Sequence, residues 1–153
     1  MFKTLLFSGM RYVEVQRFQD HLEWFDGIFI HLPILAMKKK KRKQRERTVH
    51  LSAAGKEVMY AFATITRPLP GYTSWIEDLI RWAKLADIDA VELGPKTTRK
   101  TYESWLVTYF PNWTLQIAMS QGHTTDTALR HYLNLGFIEK DRAEMKDFVE
   151  GWQ

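Results

Sequence analysis

The sequence predicts an α+β fold, mainly helical with a small antiparallel sheet. Two observations predict it. Several stretches with helical apolar periodicity end at glycine or proline, and two short alternating runs flank one strongly basic segment. Hydrophobic residues make up 45% of the 153, enough for a core, so wholesale disorder is excluded. No internal repeat is visible, and residues 1–153 read as one domain.

Residues 2–8 read as the end of a helix closed near Gly9, and residues 10–22 as a second helix with Val13, Phe18 and Leu22 on its apolar side. Asp26-Gly27 marks a turn. Residues 28–32 then read as a strand that ends, or lies at an edge, at Pro33. Residues 48–52 read as a second strand with clean alternation. The basic segment between them is the tip of a long hairpin, within an expected three-stranded sheet. From Ser52 the chain turns helical, best over 56–66, before the loop Pro68–Gly71. Ser74 is placed to cap a helix over 75–86. Gly94-Pro95 opens a helix that runs to about Phe110 and stops before Pro111. Short helices follow over 115–121 and 126–135, closed by Gly122 and Gly136. A polar amphipathic helix over 139–152 ends the chain.

The net charge of +4 hides an uneven distribution. Between Lys38 and Arg47 lie eight basic residues and one acid; the rest of the chain carries 14 basic and 17 acidic residues. All the excess positive charge therefore sits in one segment, the footprint of a polyphosphate partner or else a solvated loop or localisation signal. The absence of cysteine removes disulfides, thiolate metal sites and cysteine nucleophiles, and fits a reducing compartment. No apolar run reaches membrane-spanning length, and the first seven residues are too short for a signal core.

Five positions carry the candidate chemistry. Arg11 opens a helix, where anions are favoured, and Glu14 follows one turn later to orient it; alone the two are an ordinary ion pair. Lys96 and Arg99, three apart in the first turns of a helix, share a face against the macrodipole's preference, or else extend a solvated face to Lys100. His123 and Tyr132 are nine apart and would face opposite ways on one unbroken helix. The Thr124-Thr125-Asp126-Thr127 cluster breaks that helix, which leaves His123 on a loop and lets both converge; a tyrosine there is otherwise a core residue. The five histidines are scattered without metal-ligand spacing, and no serine-nucleophile motif or phosphate-binding glycine loop is present.

Arginine, hairpin lysine, lysine with arginine, histidine and tyrosine, in that order, suit metal-independent attack on a phosphodiester. Arginines hold the non-bridging oxygens as charge develops. A lysine protonates the leaving oxygen. A tyrosine forms the covalent intermediate that stores the bond for rejoining.

The order and spacing resemble the tyrosine recombinase (integrase) family. Leu5 to Glu14 is similar to its first box, "T-G-L-R-x-x-E"; Lys96-Thr97-Thr98-Arg99 takes the place of "H-x-x-R"; Gly122-His123, followed nine residues later by Tyr132, is similar to "L-G-H … Y". A lysine-bearing hairpin falls between the first two boxes, and the match runs from Leu5 to about Phe137. Lysine at position 96 resembles the archaeal viral and plasmid branch, while Ser120-Gln121 departs from the usual "L-L".

The resemblance implies a DNA breaking-rejoining domain whose amino-terminal DNA-binding domain is missing, because Arg11 comes so early. It implies site-specific cleavage and rejoining of double-stranded DNA through a 3′-phosphotyrosyl link, with no cofactor and no metal. Arg11, Lys96, Arg99 and His123 would hold the phosphate, and Tyr132 would attack. The general acid falls near Arg42: Lys41 or Lys43, with Lys40 behind them. Lys38, Lys39, Lys40, Arg42, Arg45 and Arg47 would contact DNA. The expected state is a monomer alone and a tetramer on paired sites, cytoplasmic and associated with the nucleoid, without a membrane. The rival readings are a catalytically silent DNA-binding remnant and a type IB topoisomerase-like enzyme.

Overall fold

The computed structural model describes residues 1–36, 46–91, 93–122 and 137–152. The architecture is α+β and mainly helical, with a small antiparallel sheet. The described helices are α1 (Phe2–Ser8), α2 (Tyr12–Asp20), α3 (Ala53–Ala63), α4 (Tyr72–Leu85), α5 (Thr97–Tyr109), α6 (Thr114–Gln121) and α7 (Glu139–Val149). The strands are β1 (Phe29–Leu32) and β2 (Arg47–His50). The expected helix over 126–135 and the basic hairpin tip lie outside the described residues.

Glycine closes the helices that lead into the site. Gly9 ends α1 at φ 59° and donates its N–H to the Leu5 carbonyl. Gly122 ends α6 in the same left-handed conformation, at φ 66°. The hydroxyl of Ser8 is used twice, donating to the Thr4 carbonyl and accepting from the Met10 N–H. At the start of α3 the Ser52 hydroxyl accepts the Gly55 N–H, so this helix begins three residues ahead of the strongest apolar pattern.

Three expectations change. Among the described residues the sheet has two strands, not three, with register Phe29↔His50, Ile30↔Val49, His31↔Thr48 and Leu32↔Arg47. The turn before β1 makes only an isolated bridge, Phe25↔Ile30. Helix α2 buries Tyr12, Glu14, Val15 and Phe18, rather than a face through Val13 and Leu22, because it begins at Tyr12 and ends at Asp20. Helix α4 starts after Gly71, three residues before the cap expected of Ser74.

Two apolar clusters hold these elements. The first gathers Leu5, Tyr12, Val15, Phe18, Ile30, Leu32, Val49, Met59 and Trp75 from α1, α2, both strands, α3 and α4. Phe18 stacks on Phe62 and Tyr12 on Trp75. The second joins Phe7 of α1, Tyr102 and Leu106 of α5, Ile117 of α6, Val149 of α7 and Trp152. Each fully buried side chain of this size contributes about 1.5–3 kcal/mol. Helix α1 packs against both α3 and α5, so residues Gly9–Arg11, directly after it, are brought against α5 and the end of α6.

Candidate phosphate-binding site

Three arginines from three separate segments converge around one buried carboxylate. Arg11 is the N-cap of α2, and its backbone N–H donates to Glu14 Oε2 at 2.7 Å. Its guanidinium Nη1 donates to Glu14 Oε1, also at 2.7 Å. Glu14 thus orients Arg11, as the three-residue spacing predicts. Arg47 reaches the same carboxylate from β2 as a fork, Nη1 to Oε1 at 2.9 Å and Nη2 to Oε2 at 2.8 Å. Its Nε donates to the Ser120 carbonyl at 2.9 Å.

Arg99 lies in the first turn of α5 and is 4% exposed. Its Nη1 donates to the Gly9 carbonyl at 2.9 Å and its Nη2 to the Gln121 carbonyl. One side chain therefore bridges the ends of α1 and α6. Burial, and then the charges of Arg11 and Arg47, push it down to about 9, so it remains cationic at neutral pH. The carboxylates of Glu14 and Glu103 attract it in the opposite sense. Burial raises Glu14, but the Arg47 fork and the charges of Arg47 and Arg11 outweigh it and bring it to about 2. Three guanidinium groups thus meet two acidic side chains, and the excess positive charge suits an oxyanion. The most open of the three is Arg11, whose side chain is 32% exposed.

Lys96 does not join this cluster. It is the N-cap of α5 rather than a residue within it, and it stays exposed while Arg99 is buried. The helix begins at Thr97, after the Gly94-Pro95 turn. Arg47, grouped in the sequence with the DNA-contacting residues, is turned inward, with its side chain 6% exposed. Lys38, Lys39, Lys40, Lys41, Arg42, Lys43, Arg45, His123 and Tyr132 lie outside the described residues.

Ser120 and Gln121, where the sequence departs from the family pattern, are both used. Besides accepting from Arg47, Ser120 takes the His50 N–H on its hydroxyl at 3.0 Å, which ties α6 to β2. Strand alternation was the available signal for Arg47: it lies two residues from buried Val49 and opposite buried Leu32. For the carbonyls of Gly9, Ser120 and Gln121 the sequence holds no signal, since backbone groups look alike at every position.

Among the described residues, no group of three His, Asp or Glu side chains is placed to hold a metal ion. No described helix is long and apolar enough to cross a membrane. Comparison with family models, with curated proteins and with solved structures returned no match.

Proposed function

We propose that the chain is the catalytic domain of a tyrosine recombinase, cleaving and rejoining double-stranded DNA through a 3′-phosphotyrosyl link. The observation that carries this reading is the meeting of Arg11 and Arg99. They stand 88 positions apart in sequence, yet the Arg99 guanidinium donates to the Gly9 carbonyl, two residues before Arg11. A family resemblance built on separate boxes requires that convergence.

In this reading Arg11 and Arg99 stabilise charge on the non-bridging oxygens of the scissile phosphate. Lys96, exposed at the edge of the cluster's helix, contacts the phosphate backbone or assists proton transfer. His123 directly follows Gly122, the residue next to the Arg99-bound Gln121 carbonyl. Tyr132 attacks, and Lys41 or Lys43 protonates the 5′ leaving oxygen. The basic run supplies non-specific DNA affinity. Pairing of two DNA sites in a tetramer, in the cytoplasm at the nucleoid, completes the proposal.

The test is a nicked duplex incubated with the protein and resolved in SDS. A covalent adduct that forms in excess EDTA, maps to Tyr132 and disappears in Tyr132→Phe is expected. Attachment at Tyr102 or Tyr109, or a requirement for added magnesium, would overturn the mechanism.

A further inference from the structure

Arg47 closes the basic run in the sequence, but its side chain is buried in the fold, where it joins three elements. Each oxygen of Glu14, itself 1% exposed, accepts two hydrogen bonds, one from Arg11 and one from Arg47. A third N–H of Arg47 goes to the Ser120 carbonyl. The aliphatic stem lies over Gly122: a Cβ there would stand 3.0 Å from Arg47 Cδ and 3.2 Å from Nε. From β2, Arg47 therefore packs at once on the first turn of α2 and on the glycine that ends α6.

We propose that Arg47 is a positioning residue, fixing the Glu14 carboxylate and through it the Arg11 guanidinium, and that it does not itself contact DNA. The proposal rests on the reading of Arg11 as a phosphate ligand. Burial alone disfavours an ionised Glu14. The fork from Arg47 offsets that penalty with two charge-assisted hydrogen bonds and leaves the outer oxygen geometry for Arg11. Without Arg47, Glu14 protonates or turns toward water, and Arg11 loses the partner that aims it. Lysine is no substitute, because a single ammonium cannot make the fork and reach Ser120 together.

Three measurements test this on the full chain, with circular dichroism to confirm folding. R47K carries each measurement if R47A does not fold. Binding to a duplex oligonucleotide is followed by anisotropy across salt concentrations. R47A leaves the Arg11 charge in place and is expected to lower the slope of log K against log salt by no more than R11A does, about 0.9 for one lost phosphate contact. A slope lowered more by R47A than by R11A would make Arg47 the ligand and overturn the proposal.

Adduct formation on saturating nicked duplex is the second readout. R47A is expected to slow it, and R11A/R47A to be no slower than R11A alone, because Arg47 acts through Arg11. Multiplying effects would overturn it. The third readout needs no DNA: the carbon-detected titration of the Glu14 carboxyl is expected to move up by about one unit or more in R47A or R47K. An unchanged midpoint overturns the positioning role. A wild-type chain that neither binds nor cleaves DNA overturns the recombinase reading, and the Glu14 titration then decides the positioning role separately.

Discussion

The backbone of Gly9 lies against the side chain of Gln121, and the carbonyl oxygens of these two residues share the Arg99 guanidinium. A Cβ built on Gly9 would run into the Gln121 amide, standing 2.7 Å from its Cδ, and Gln121 is fully buried. The φ of 59° at Gly9 adds the cost of a left-handed alanine. Gly9→Ala is expected to destabilise the fold by about 1–3 kcal/mol. It should also slow adduct formation beyond what unfolding explains, because the displaced carbonyls release Arg99. Urea unfolding measures the first effect, and single-turnover cleavage under conditions that keep the variant folded measures the second. A fully active, fully stable variant would show that the contact relaxes freely.

Glu14 makes the stability depend on acid. Its carboxyl is held at about 2, below the usual 4.5. A depressed carboxylate contributes stability that is complete above its unfolded value and lost as pH falls through the folded one. The window is therefore between about pH 5 and pH 2, and the contribution lost across it is about 3 kcal/mol. Glu14→Gln should be less stable than wild type at pH 7, since it leaves the buried Arg47 without its counter-charge. The gap should narrow as pH falls toward 2. Urea midpoints of both proteins at stepped pH decide it; a gap constant with pH would mean that Glu14 is not held ionised by its arginines.

Lys96 and Arg99 should separate cleanly. Lys96 is an exposed N-cap with no side-chain capping bond, so Lys96→Ala is expected to change stability by no more than about 0.5 kcal/mol. Arg99→Ala removes a buried cation from two backbone carbonyls and should cost about 3 kcal/mol. Thermal melts of the two variants side by side check this. Equal losses would place Lys96 inside the cluster after all.

Much of this arrangement is legible in the sequence, for identifiable reasons. Gly9 and Gly122 announce the ends of α1 and α6 because a left-handed residue is needed there and glycine adopts it at little cost. The strands are announced by alternation, and Glu14 by its helical spacing from Arg11. Boundaries are less legible where tertiary contacts decide them. Helix α2 begins at Tyr12 rather than at residue 10, and Tyr12 there stacks on Trp75 and donates to the Pro70 carbonyl, 58 residues away. Arg47 was hidden by its company: seven basic neighbours in the run make it look like one more solvated charge, although its strand position points it inward. The third strand expected beside the hairpin has no equivalent among the described residues, where the sheet is completed by packing of α6 on β2 instead.

The general acid is expected to be one lysine of the basic run, Lys41 or Lys43. Seven basic residues of that run besides Arg47 are expected to attract DNA, but only one can sit at the leaving oxygen. Loss of a general acid costs about 10²–10⁴ in rate, whereas loss of one phosphate contact mainly weakens binding. A substrate whose 5′ bridging oxygen is replaced by sulfur separates the two, because a thiolate leaves without protonation. Cleavage by the variant lacking the acid should return to near the wild-type rate on the sulfur substrate. Arg11→Ala and Arg99→Ala should stay slow on both substrates, since the proposed mechanism has them act on the non-bridging oxygens. Lys96, exposed at the start of α5 and apart from the Glu14 cluster, should show a binding defect that sulfur does not repair. If sulfur rescues Lys96→Ala and neither Lys41→Ala nor Lys43→Ala, then Lys96 is the acid, and the basic run serves DNA binding alone.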